Sequence, residues 1–305
     1  MNESFFILGQ QVAILFIMIF VGFICAKRGL FSEEGIKSVT NFVLYIIIPC
    51  VIINSFHREF DHEMMQGLIK AFFAALFVHL LNIVVANLLI HDKDEARERV
   101  LKFATIFSNC GYMALPLQEA LLGKDGIFLG AVFIAVFNII NWTYGLFLMG
   151  GKGTKISIKT ALLNPGVIGV FFGFIFFLTP LKLPQILLTP LQCFASMNTP
   201  LPTIIIGFYL AKVPGFAVLK DAKLCLALVL RLVVLPVAAA LILYACGLRG
   251  DLLASMVIAA SAPCAANTAM FAGKFDRDTS LSVTLVSVST LFSILTMPVI
   301  VQFCM

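Results

Sequence analysis

Apolar runs of about twenty residues, parted by short charged clusters, recur along the whole of this 305-residue chain. That length is what a helix needs to cross a hydrocarbon core of roughly 30 Å. No other feature narrows the choice of folds as far. In lipid every backbone N–H and C=O must find its partner within the protein, so such runs have to be helices. Spans are predicted at Phe5–Ala26, Ile36–Phe56, Gly67–Ile90, Val100–Leu122, Gly126–Met149, Pro165–Thr179, Ile186–Ala211, Leu219–Gly247, Leu252–Ala272 and Ser280–Cys304. Composition agrees, with 61% hydrophobic and 12% charged residues and a mean hydropathy of +1.04. A soluble core would leave much of that apolar surface exposed.

The charges give an orientation. Connections after odd-numbered spans hold Lys27, Arg28, Lys37; Lys93, Arg97, Arg99, Lys102; Lys152, Lys155, Lys159; Lys212, Lys220, Lys223; and Lys274, Arg277. The even-numbered connections hold only Arg58, Lys124, Lys182 and Arg249, and the termini hold none. The positive-inside rule puts the odd connections in the cytoplasm and both termini on the far side of the cytoplasmic membrane. The net charge of +5 forms no basic stripe with interleaved aromatics, so no nucleic-acid partner is expected. The eight cysteines all lie in apolar stretches without a CxxC pair and read as buried hydrophobes, not as disulfides or metal ligands. Met-Asn-Glu-Ser before the first run is no positive leader, so no cleaved signal peptide is expected.

The chain also repeats itself. Gly22-Phe23-Ile24 returns as Gly173-Phe174-Ile175, Pro49 as Pro200, Lys70 as Lys220, and Gly123-Lys124 as Gly273-Lys274. Four matches in order at nearly one offset indicate two copies, residues 1–150 and 151–305. Five spans per copy is odd, so the second copy must be inverted. The expected fold is an all-α membrane protein of ten transmembrane helices built as two inverted five-helix repeats. Such symmetry is the usual basis of alternating access in secondary transporters.

The fourth and ninth spans carry the breaks. Phe107-Ser108-Asn109-Cys110-Gly111-Tyr112-Met113-Ala114-Leu115-Pro116 lies mid-span, and Ala260-Ser261-Ala262-Pro263-Cys264-Ala265-Ala266-Asn267-Thr268 lies in the matching place of the other copy. Asn109 and Gly111 tolerate non-helical backbone, and Pro116 lacks an N–H. Two half-helices with a break at about Asn109–Leu115 are predicted, and a second break around Pro263. Unwound backbone at this depth must be buried in protein or line a cavity. Each second half-helix would then point unpaired N–H groups and a positive dipole end inward, a site for a carboxylate. The Asn109 and Asn267 amides add hydrogen bonds. The alternative is two ordinary proline kinks, each Asn capping its own break.

Asn109-x-Gly111-x-x-Ala114-Leu115-Pro116 resembles the Asn-x-Gly-x-x-Gly-Leu-Pro motif of the auxin efflux carrier family, with Ala114 in place of the second Gly. Pro49 after Asn41, Asn164-Pro165, Leu201-Pro202 with Gly207, Arg231 before Pro236, and Pro263 with Asn267 extend the resemblance over the chain. The resemblance implies a fold related to bile-acid sodium symporters, with an often dimeric scaffold of helices 1, 2, 6 and 7. Helices 3–5 and 8–10 would form a transport domain moving like an elevator. It implies organic anions as substrates: malate, malonate or similar compounds in bacteria, auxin in plants. The loop at Gly150–Lys159 is short, which favours the bacterial type.

Ionisable groups inside spans are functional candidates. Arg231 is expected either to attract the substrate or to pair structurally with Glu119. His79 is a candidate proton carrier, the alternative being a hydrogen-bonded packing residue. Sodium, protons or no coupling ion at all fit the sequence, and no cofactor or metal is expected. Asn82, Asn87, Asn138 and Asn141 read as packing groups and not as ligands, with Asn138 and Asn141 worth testing as groups beside the site. His62-Glu63-Met64-Met65-Gln66 lacks the second histidine of a zinc helix, and no phosphate loop or nucleophile elbow appears, so no enzyme is expected. The substrate-binding set is Asn109, Gly111, Pro116, Pro263, Asn267 and Arg231, with Glu119 and His79 as coupling candidates. Amino acids, auxin-like aromatic acids and an anion channel are the remaining alternatives.

Overall fold

A computed structural model describes residues 2–151, 162–212 and 220–304, and among them the chain is all helical with no strand. The described helices are α1 (Asn2–Lys27), α2 (Glu33–Phe56) and α3 (His62–Leu89), then α4 (Glu95–Ile106). The segment Cys110–Gly150 is split at Gly123, whose φ of 61° and ψ of −146° are not helical, into α5 (110–122) and α6 (124–150). Next come α7 (Pro165–Leu178), α8 (Gln185–Leu210) and α9 (Ala222–Ala245). The chain ends with α10 (Gly250–Ser261), α11 (Asn267–Lys274) and α12 (Thr279–Gln302).

Five of these segments are long and apolar enough to cross a membrane: α2, α3, Cys110–Gly150, α8 and α9. Thr279–Ser293 and Leu295–Gln302, bent by 52°, make a sixth if taken as one span. Helix ends fall close to the predicted spans. The start of the eighth span at Leu219 and the loop residues Lys152, Lys155 and Lys159 lie outside the described residues.

Polarity is inverted relative to a water-soluble helix. On α3 the outward residues are Ile69, Phe73, Leu80, Val84 and Leu88, while His79 and Asn82 are buried beside Ala71, Ala75 and Val78. An amphipathic helix of a soluble protein does the opposite. Facing Phe and Leu outward and His and Asn inward is what a hydrocarbon surround selects.

Proline shapes three of the helices in the same way. Five-residue π-helical turns at Val43–Ile47, Cys110–Ala114 and Leu230–Val234 each end two residues before a proline: Pro49, Pro116 and Pro236. A proline ring crowds the carbonyl four residues back and donates no hydrogen bond, so the preceding turn widens by a residue. The fourth-span break is accordingly shorter and earlier than predicted. Only Phe107–Asn109 leaves the helix, and the chain recoils at Cys110 ahead of Pro116.

The most extensive helix contacts join α1 to α8 and α2 to α7. The first is a backbone approach: a Cβ on Gly207 would stand 2.0 Å from the Ile19 carbonyl oxygen, and one on Gly22 would stand 2.4 Å from that of Ile204. The second presses Gly173 against the Phe56 side chain, where a Cβ would meet Phe56 Cβ at 2.9 Å. Gly22 and Gly173 are matched positions of the sequence repeat. A second body gathers α6 against α3 and α10, with α12 against α10 and α11. Gln118 Nε2 in α5 donates to the Ser255 carbonyl of α10 at 2.8 Å and to Ser255 Oγ at 3.0 Å.

Charges collect at helix ends. Arg97 pairs with Asp92 at 3.1 Å and with Asp221, and Lys223 reaches Asp92 at 3.3 Å, tying the α3–α4 turn to the start of α9. Arg99 donates to the Leu148 carbonyl, and Arg277 to those of Met149 and Gly150, capping the last turn of α6 with two cations.

Candidate functional site

The two breaks meet. Asn109 N–H donates to the Pro263 carbonyl at 2.7 Å, and Ala265 N–H donates to the Phe107 carbonyl at 2.9 Å. These bonds frame a single antiparallel bridge between Ser108 and Cys264. Two short extended segments cross back to back and satisfy part of one another's backbone, which neither could do alone in lipid. Cys264 N–H is taken up by Ser289 Oγ of α12 at 3.0 Å.

Four half-helices converge on this crossing. The first two, α4 and α10, end there, and their last carbonyls have no helical partner. Arg231, with none of its surface exposed, serves both ends. Its Nη1 donates to the Thr105 and Ile106 carbonyls at 3.2 and 3.3 Å, and its Nη2 donates to the Ala260 carbonyl. One guanidinium therefore sits where two negative helix-dipole ends point. The π-turn ahead of Pro236 carries Arg231, and Asn82 Nδ2 adds a bond to Ile106 at 3.1 Å. The expected pair of Arg231 with Glu119 does not form. Glu119 accepts instead from Asn198 Nδ2 at 3.4 Å. The guanidinium is turned to the ends of α4 and α10, where its two terminal nitrogens bond carbonyls.

The second half-helices, α5 and α11, begin at the crossing with their N-termini toward one half-open cavity. One wall is the crossing itself: Ser108, Asn109, Cys110, Gly111, Tyr112, Ala265, Ala266 and Asn267. Facing it are Leu44 and Ile48 of α2, Ile134, Phe137 and Asn138 of α6, and Asn164 and Gly166 at the start of α7. Among the described residues no Asp, Glu, Lys, Arg or His lines it. Four asparagine amides do.

Their hydrogen bonding differs. Asn109 Oδ1 caps its own helix, accepting from Tyr112 N–H at 3.3 Å, which leaves its Nδ2 unpartnered among the described residues. Asn267 opens α11 without capping it; the cap residue is Ala266, with no side-chain bond. Its amide is uncommitted. Backbone N–H groups in the first turns of α5 and α11 add further donors. The cavity is thus neutral in charge and rich in donors, with a fixed cation behind the crossing.

Of the residues read from sequence, Asn109, Gly111 and Asn267 come together on the cavity wall. Pro116 widens the turn that carries Gly111, and Pro263 supplies the carbonyl that holds Asn109. Arg231 is not in the cavity lining; it bonds carbonyls at the ends of α4 and α10. His79 is 1% exposed, its Nδ1 2.7 Å from the Ala75 carbonyl, packed on Phe133 and Phe137. Neither His79 nor Glu119 lines the cavity. Asn138, read from sequence as a packing group, is on the wall, and Asn164 enters the site too. The only sign of Asn164 in the sequence was its place before Pro165 at a helix start.

A second hollow shares Asn109, Tyr112 and Ala266 with the first. It is also bounded by Ile205, Ile206 and Tyr209 of α8, and by Ser287 and Thr290 of α12.

Comparison with known proteins gives one consistent result. The profile described as "Membrane transport protein" matches residues 7–161 and again residues 154–301. An uncharacterized transporter of Methanothermobacter thermautotrophicus is 26% identical over 296 residues, 95% of this chain and 96% of the relative. An uncharacterized transporter of Methanocaldococcus jannaschii is 24% identical over 93% of this chain and 94% of its own length. The uncharacterized transporter YfdV of Escherichia coli is 24% identical over 96% of both chains.

Proposed function

The chain belongs to the membrane transport protein family, that of the auxin efflux carriers, and on this premise we propose that it is a secondary transporter of small organic anions. The observation that carries the reading is the crossing. Two half-helix N-termini, from breaks that pair with each other, face one donor-rich cavity without a carboxylate in its wall. Partial positive charge at helix N-termini and amide donors suit a carboxylate. Asn109 Nδ2, the Asn267 amide and the first-turn N–H groups near Gly111 hold it. Arg231 offsets the negative ends of α4 and α10, so the field at the crossing stays positive. Short carboxylates, malate- or malonate-like dicarboxylates among them, are the proposed cargo.

Transport proceeds by alternating access in a ten-helix inverted repeat. The twofold family match and the Gly22 and Gly173 contacts at corresponding helix pairs support that architecture. An elevator-like motion is supported by the cavity's position. It lies between the α2–α7 pair on one side and the body holding the crossing on the other. The second hollow, against α8 and α12, offers the crossing another face when the bodies shift. The protein is assigned to the cytoplasmic membrane with both termini outside, from the distribution of Lys and Arg.

The test is uptake of radiolabelled short carboxylates into proteoliposomes. Asn109→Ala and Asn267→Ala should each lower the initial rate at least about tenfold, as loss of one hydrogen bond to a charged group implies. Wild-type rates in both variants would refute the site, and unitary currents would refute the carrier.

A further inference from the structure

The cavity has a second pole that the crossing does not account for. Helix α7 begins there. At 14 residues it is about 21 Å long, short of the roughly 30 Å hydrocarbon core. Its cap is Asn164, whose Oδ1 accepts from Gly166 N–H at 2.9 Å, and Pro165 carries no N–H. Asn164, only 5% exposed, keeps its amide nitrogen without a partner among the described residues.

Asn138 of α6 stands against this helix end. A Cβ on Gly166 would lie 2.7 Å from Asn138 Nδ2 and 3.3 Å from Asn164 Oδ1, so the two amides and the first turn of α7 meet at one point. Asn138 is 6% exposed, lines the cavity, and its side chain makes no hydrogen bond among the described residues. A polar amide without a protein partner is normally satisfied by another group at the site. An uncommitted amide in a cavity wall, aimed beside a helix N-terminus, is explained by a ligand that uses it.

We propose that Asn138, Asn164 and the N-terminus of α7 form a subsite for the second carboxylate of a short dicarboxylate, whose first carboxylate sits at the crossing. This deepens the reading of the crossing as a carboxylate site and rests on it. Specificity then divides between two places. The crossing holds any carboxylate; the α7 pole selects for a second one.

The experiment is calorimetric titration of the purified full-length chain with pairs matched in carbon number: malonate against propionate, and succinate against butyrate. Wild type should bind the dicarboxylate of at least one pair about tenfold or more tightly. Asn138→Ala should lower dicarboxylate affinity about tenfold and leave monocarboxylate affinity within about twofold. Asn138→Asp, of equal size, should lower dicarboxylate affinity further by like-charge repulsion. Retained monocarboxylate binding shows that each variant is folded. No preference in wild type, or an equal loss or no loss on both ligand types in Asn138→Ala, overturns the subsite. Asn109→Ala separates the two claims, because it should weaken both ligand types. If it weakens neither while Asn138→Ala still removes the preference, the crossing assignment fails and the subsite stands. Binding of no carboxylate by wild type overturns both.

Discussion

Replacing Arg231 by methionine keeps the volume of the side chain and deletes the donors that close the two helix ends. Of the three carbonyls it serves, Ile106 retains Asn82, while Thr105 and Ala260 are left without a partner among the described residues. A buried carbonyl without its hydrogen bond costs about 1–3 kcal/mol, so two cost about 2–6 kcal/mol. Relief from burying a cation that faces no carboxylate works the other way. The net loss should fall near the lower end, about 2 kcal/mol, against a total stability of about 5–15 kcal/mol. At roughly 2–4 °C per kcal/mol for a chain of this size, the unfolding temperature in detergent should drop by about 5 °C. Arg231→Lys keeps the charge but not the fork that spans two helix ends, so it should fall between wild type and methionine. Carboxylate uptake should decline in the same order, since the α4 and α10 ends would no longer be held together. An Arg231→Met protein that unfolds at the wild-type temperature and transports at the wild-type rate would refute the argument, because the carbonyls would then need no cation.

The remaining expectations follow from single contacts. Among the described residues no Asp, Glu, Lys, Arg or His lines the cavity, so carboxylate affinity should be flat between about pH 7 and 8, where short mono- and dicarboxylates are fully ionised; titration calorimetry over that range checks it, and a step would place a titrating group in the site. Asp92 is held below the ordinary carboxylate value by the Asp94 N–H it accepts, then by Lys223 and Arg97. A lowered folded-state value contributes stability above the ordinary value near 3.8 and loses it as pH falls through the folded one. Asp92→Asn should therefore melt slightly below wild type at pH 7, and the gap should close as pH falls below about 4; a gap that persists or widens there would contradict the assignment. Gly207→Ala places a Cβ 2.0 Å from the Ile19 carbonyl oxygen and should cost about 1–3 kcal/mol by forcing α1 and α8 apart. Melting in detergent reads it, and an unchanged value would mean the two helices do not approach as described.

The amino-acid sequence alone determined where the chain enters and leaves helices. Run length is a local property, and Gly123, Pro116 and Pro263 act within a turn of themselves, so helix ends and breaks were readable residue by residue, with five segments, or six counting the bent α12, long and apolar enough to span. Even there one local detail escaped, because a proline's effect on the turn before it moved the fourth-span break from Asn109–Leu115 to Phe107–Asn109.

Only the tertiary structure decided what faces what. Hydropathy gives the length of a span but not which side of it meets lipid, a neighbour or a cavity. Arg231 and Glu119 both invited pairing by charge. Their partners were set by rotation about the helix axes and by carbonyls that no linear pattern reveals, since every residue has one. The pairing of Asn109 with Pro263, and the meeting of Asn138 with Asn164 across the start of α7, join positions far apart in the chain through hydrogen-bonding groups that become unpaired only once the helices have packed.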